Sequence, residues 1–207
     1  MRHTLPITLL LLVGCAPVFP RDGVQPYPIA MSPNDVVQGM LPDCWLMAGL
    51  MALAAHSPAT LTDNIGIKDG NVVIGLYDRN GNAQWYNVDA STAWPQWFRQ
   101  AMQQDGYDTN AGGSPLQLFV ALGGMYQDYW LEDFDGQTIE GILKQANTTA
   151  TVATSTAVVV NGIVPQHAYA VLNYSNGNVY LGNPWGVDSI TLTVSQLRNN
   201  FVELDAY

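Results

Sequence analysis

Positive charge is scarce in this chain of 207 residues: 7 Lys and Arg stand against 17 Asp and Glu, for a formal net charge of −10. That balance excludes nucleic acid as a partner, because phosphate binding needs clustered Lys and Arg, and the sequence holds no such cluster. Long hydrophobic runs are also missing. The run from Leu5 to Val13 is interrupted by Pro6 and Thr8 and falls short of the roughly 20 residues of a membrane span. Cysteine is limited to Cys15 and Cys44, and histidine to His3, His56 and His167. What is abundant is apolar: 48% hydrophobic residues argue against a disordered chain. The length suits one domain behind a short leader.

Arg2, the short apolar run and Gly14-Cys15 have the length and flanks of an export signal. Leu12-Val13-Gly14-Cys15 resembles the bacterial lipoprotein box, whose Cys becomes the lipidated first residue of the mature protein. The resemblance implies a signal peptide over residues 1–14, a lipid on Cys15 as the membrane anchor, and an exported protein of the cell envelope. Ala16 stands where some lipoproteins carry the Asp that retains them at the inner membrane, which points to the outer membrane or cell surface. Residues 15–30 read as the lipidated Cys and an extended tether, since Ala16 to Ala30 holds four prolines and little periodicity. With Cys15 carrying lipid, Cys44 has no disulfide partner. A lone thiol in an oxidising compartment is either buried and inert or has a chemical task.

From residue 31 to 207 the composition is that of one globular domain. Asp43 is placed to cap a helix from Cys44 to about Ala55, apolar all round and therefore a core helix. Residues 72–77 and 84–88 read as a hairpin around Asn80-Gly81. Helices are expected over 94–104, 115–122 and 138–147, and strands over 152–160, 167–174, 179–181, 190–194 and 201–204, with a short helix at 195–199. Helices thus dominate the first half and antiparallel strands the second, an α+β arrangement. No Gly-rich phosphate loop follows a strand. Trp94, Trp97, Phe98, Tyr126, Tyr129 and Trp130 either fill the core or line a cleft.

Cys44 falls in the first turn of the expected helix, where unpaired N–H groups and the helix dipole favour a thiolate, while the Asp43 charge opposes it. Such a sulfur needs a base. His56 lies at the far end of the same helix, about 18 Å away at 1.5 Å per residue, and a cation is favourable there without any catalytic role. His167 opens a strand after the Gly162–Pro165 loop, from which a side chain can enter a cleft. Asn183 follows the next strand across the Asn176-Gly177 hairpin, so it can reach the imidazole and fix its tautomer. Trp185 is near enough to shield that bond. A structural histidine and an Asn-Pro turn are the plainer readings of the same residues.

Gln38-Gly39-Met40-Leu41-Pro42-Asp43-Cys44-Trp45-Leu46 resembles the catalytic segment of the calpain family of cysteine peptidases. His167-Ala168-Tyr169-Ala170-Val171 and Asn183-Pro184-Trp185-Gly186 are similar to that family's histidine and asparagine segments. Weaker likeness at Trp85–Asp89, Trp94–Ala101, Gly112-Gly113 and Leu122-Gly123-Gly124 fills the interval. The order is kept from Asp35 to Trp185. The chain is nevertheless shorter than a typical calpain core, with Pro42 and Gln166 where glycine is commoner.

The resemblance implies a minimal papain-like fold, the helical half carrying Cys44 as nucleophile and the sheet half carrying His167 and Asn183. Gln38 takes the position that supplies an oxyanion-hole amide. The implied activity is hydrolysis of a polypeptide substrate through a thioester. Two other readings share the scaffold: a non-catalytic binding lipoprotein, and a Cys-dependent amidase or acyltransferase. No cofactor is expected. Calcium is a family trait, but no ligand loop of EF-hand type occurs, and Glu132-Asp133-Phe134-Asp135 reads as a solvated loop.

Overall fold

A computed structural model describes residues 19–160, 162–186 and 189–207. The expected signal peptide and Cys15 lie outside the described residues. The chain passes through β1 (Gln25–Pro26), a 3-10 turn at Pro33–Asp35, α1 (Cys44–His56), α2 (Pro58–Asp63), β2 (Ile65–Lys68), β3 (Asn71–Tyr77) and β4 (Ala83–Asn87). It continues through α3 (Trp94–Gln104), α4 (Leu116–Ala121), β5 (Gln127–Trp130) and α5 (Gly136–Gln145). The last stretch holds β6 (Thr151–Ser155), β7 (Ala168–Ser175), β8 (Asn178–Gly182), β9 (Ile190–Thr193), α6 (Val194–Asn200) and β10 (Phe201–Ala206). The strands form two antiparallel sheets, ordered β1-β2-β3-β4 and β5-β10-β6-β7-β8-β9. The class is α+β.

The sheet of the first half corrects the picture of a helical half. Its strand β2 is too short to stand out in sequence, and β1 contains Pro26, tolerated because β1 is an edge strand. The tether is corrected as well. Residues 19–30 lie along the domain rather than leading away from it: Phe19 is buried against Tyr77 and Trp85, Val24 is buried, and Arg21 donates to the Thr62 and Asp63 carbonyls. Proline kept this segment extended, and its few apolar side chains then found a surface.

Helix α1 is the centre of the molecule. Trp45 through Ala54 are all buried, so no face of the helix meets water. It packs on β7 and β6 on one side and on α2, α3 and α4 elsewhere. Each fully buried leucine among Leu46, Leu50 and Leu53 contributes about 1.5–3 kcal/mol of apolar transfer. The six-stranded sheet separates two cores by simple alternation. Val152, Ala168 and Ala170 face α1, whereas Ala153, Tyr169, Val171 and Leu204 face the core shared with α5 and α6. Small residues at 168 and 170 let α1 approach the sheet closely. Helix α3 buries Trp94, Trp97, Phe98, Ala101 and Met102, the spacing of one helical face, so these aromatics are core. Tyr126 and Trp130 remain about half exposed.

Strand β6 ends at Ser155, five residues earlier than the expected limit of 160. Its hydroxyl meets the Val164 and His167 carbonyls and folds the chain back on itself.

Candidate active site

The first component is the segment from Ser32 to Cys44. Ser32 and Asp35 form a reciprocal capping box on the 3-10 turn, and Asp35 also accepts the Trp94 indole N–H at 3.0 Å. Arg99 of α3 then clamps the segment: its Nε donates to Asp43 Oδ2 at 2.5 Å and its Nη2 to the Gln38 carbonyl at 2.9 Å. A further bond to the Gln96 side chain orients the guanidinium. Asp43 is fully buried. Burial pushes its carboxyl upward, and the Arg99 charge opposes that rise. Asp43 does occupy the position before the helix, but its side chain makes no capping bond because Arg99 holds it. Arg99 carries no local sequence signal. A buried Asp in a chain with so few cations was the clue that some Arg or Lys must reach it.

Cys44 is the first residue of α1 and half-buried. The Ala168, Trp45 and Cys44 backbone N–H groups favour its thiolate. Burial outweighs them and pushes the thiol above its ordinary value, with the Asp43 charge acting in the same direction. The helix terminus favours the thiolate as expected and Asp43 opposes it, but dehydration of the sulfur costs more than the N–H groups return.

His167 lies immediately before Ala168 and is 4% exposed. Its backbone N–H donates to Ser155 Oγ at 2.9 Å, and its carbonyl accepts the Ser155 N–H at 2.9 Å. Ser155 thus fixes the turn into β7, a role invisible from sequence because its partner is twelve positions away. Gln166, with φ of 51°, adopts the left-handed conformation just before it. His167 Nε2 is 2.9 Å from Asn183 Oδ1. The same oxygen accepts the Trp185 backbone N–H at 3.1 Å. An atom accepting from an amide is the oxygen, so Nε2 carries the proton and Nδ1 has the lone pair. Burial holds the imidazole pKa down, while the Asn183 bond opposes that effect.

Asn183 follows β8, and its position depends on the close approach of α1. A Cβ at Gly182 would stand 2.6 Å from Met51 Sδ and 2.9 Å from Leu172 Cδ1. The Pro184 carbonyl accepts the Gln38 N–H at 2.8 Å, which ties the asparagine turn to the loop before Cys44. The Trp185 ring lies 4.7 Å from the imidazole, with 44% of its surface exposed. Gln38 is 4% exposed and donates from Nε2 to the Leu41 carbonyl at 2.5 Å, while its Oε1 has no partner.

His56 sits at the opposite end of α1, where its Nε2 meets the Val171 carbonyl at 2.9 Å. Of the acidic stretch from Glu132 to Asp135, Asp135 caps α5 by accepting the Thr138 N–H. A different group, Asp128, Glu203 and Asp205, brings one oxygen from each side chain within 4.8 Å of the others. A scan against family models and a search of curated proteins find no match for this chain.

Proposed function

We propose that the protein is a calpain-like cysteine peptidase of papain-like architecture, exported and anchored through a lipid on Cys15. One observation carries the reading: the His167–Asn183 bond leaves Nδ1 as the base, on the residue just before Ala168, where β7 packs on the helix that Cys44 opens. The reading is supported by the partial dehydration of both Cys44 and His167 and by the packing of α1 on β7, the arrangement a nucleophile and its base need. The motifs on which the calpain resemblance rests supply the same residues.

The chemistry follows from the protonation states. Nδ1 takes the thiol proton as sulfur bonds to the peptide carbonyl carbon. Charge develops on the carbonyl oxygen, where the Cys44 N–H at the open end of α1 and the second N–H of the Gln38 amide stabilise it. Collapse of the tetrahedral intermediate breaks the C–N bond, and the amine leaves with the proton from Nδ1. Water, deprotonated at Nδ1, then attacks the thioester and restores the thiol. Asn183 keeps the imidazole in the required tautomer throughout.

If Cys15 carries the lipid, it stands four Cα–Cα steps from buried Phe19. Their reach is at most about 14 Å, so the domain lies against the bilayer rather than on a long leash.

A thiol-directed epoxide tests the reading. The expected result is stoichiometric labelling of Cys44 in the folded protein, lost in His167→Ala, together with cleavage of a peptide library. Labelling indifferent to His167→Ala, or a library left intact, overturns it. Transfer of the acyl group to an added amine in place of hydrolysis would instead identify an acyltransferase.

A further inference from the structure

Strands β5 and β10 pair so that Asp128 stands directly opposite Asp205, while Glu203 lies two residues along β10 on the same face. Like charges directly opposite each other destabilise a ladder. Here the pair is joined by a third carboxylate. Asp205 is fully buried, and neither of its oxygens has a hydrogen-bond partner. A buried carboxylate without a partner is among the costliest features a fold can carry. Asp128 receives one hydrogen bond, from the Trp130 indole at 3.0 Å. The two ion pairs among the described residues, Arg99–Asp43 and Arg21–Asp63, involve none of the three. Across the other ladder from Glu203 stands Thr154, whose hydroxyl favours the charged form of the Glu203 carboxylate.

We propose that Asp128, Glu203, Asp205 and the Thr154 hydroxyl form a binding site for a calcium-type divalent cation. The donors are all oxygen, which selects hard cations over zinc or copper. An ion held at 2.3–2.6 Å from each oxygen accommodates oxygens up to about 5 Å apart, whereas magnesium at about 2.1 Å reaches only about 4.2 Å. The three carboxylates each bring one oxygen within 4.8 Å of the others, inside the reach of the larger ion. Asp128 is exposed and gives the ion a route in. The fully buried Asp205 would then form the inner wall.

Bound there, the cation offsets the repulsion between facing carboxylates and ties edge strand β5 to β10. Thr154 also pairs with Ala168, so the site shares the α1-facing side of the sheet with Cys44, two strand spacings or about 10 Å along from β7. The inference does not depend on the peptidase reading.

The test uses the full chain after treatment with a chelator. Calcium titrated by calorimetry is expected to show one saturable site and to raise the Tm by several degrees. Terbium in the same site is expected to luminesce on tryptophan excitation, because Trp130 touches Asp128. Asp205→Asn should abolish both signals. Asp128→Asn, on the exposed edge where folding is not at stake, should weaken binding at least about tenfold, as loss of one charged ligand does. No saturable calcium binding up to about 10 mM, beyond the weakest known extracellular sites, overturns the proposal. So does binding that both substitutions leave unchanged.

Discussion

In the segments that carry Cys44 and His167, the side chains of Ser155, Asn183, Gln38 and Asp43 are each bonded to a neighbour within the protein, although Gln38 Oε1 and Asp43 Oδ1 have no partner. At the β5–β10 edge of the same sheet, Asp205 is equally buried and has none. Burial acts alike in both places, pushing the Cys44 thiol up and holding the His167 imidazole down, and pushing Asp205 up to about 8. The difference is in what answers it. Near Cys44 the protein supplies its own counter-groups, whereas at the acidic edge Asp205 either keeps its proton or takes its counter-charge from the proposed cation.

The sharpest way to break this contrast is to turn the first cluster into a copy of the second. Arg99→Met leaves Asp43 buried and unpaired, and should cost about 3–5 kcal/mol. Calorimetry should register a fall in Tm of roughly 10 °C, and adding Asp43→Asn should recover part of it. A loss below about 1 kcal/mol would show that the clamp is dispensable.

A second measurement concerns protonation. A raised thiol and a lowered imidazole leave a neutral pair at neutral pH. Alkylation of Cys44 by iodoacetamide should therefore climb roughly tenfold per pH unit between about pH 7 and 9, as thiolate forms. A rate flat over that range would mean that the thiolate–imidazolium pair is already formed.

The smallest expected effect is at Gln166, whose left-handed backbone costs a non-glycine residue about 1–2 kcal/mol. Gln166→Gly should stabilise the fold by about 0.5–1 kcal/mol, since glycine returns part of that gain as unfolded-state entropy. Denaturant titration checks this, and a loss of stability would reveal a compensating contact of the Gln side chain.

The residues around Cys44, His167 and Asn183 could be singled out in sequence because each lies in a short run of distinctive neighbours. Helices α1 and α3 were legible for a similar reason: one is apolar on every side and the other along one face. The segment from Phe19 to Ile29 was not, because its prolines report backbone stiffness but not the surface on which Phe19 and Val24 land. Nor were Arg99 and Ser155, which act on partners 56 and 12 residues away. Asp128 and Asp205 became neighbours only through strand register.

Local chemistry thus determined which elements form and which side chains are able to react, since periodicity, turn residues and nucleophile type are written along the chain. The tertiary structure decided which groups meet and what water they lose. Burial in this fold raises the Cys44 thiol despite its place at a helix start, and strand pairing sets three carboxylates face to face. Both follow from long-range packing, which sequence spacing does not encode.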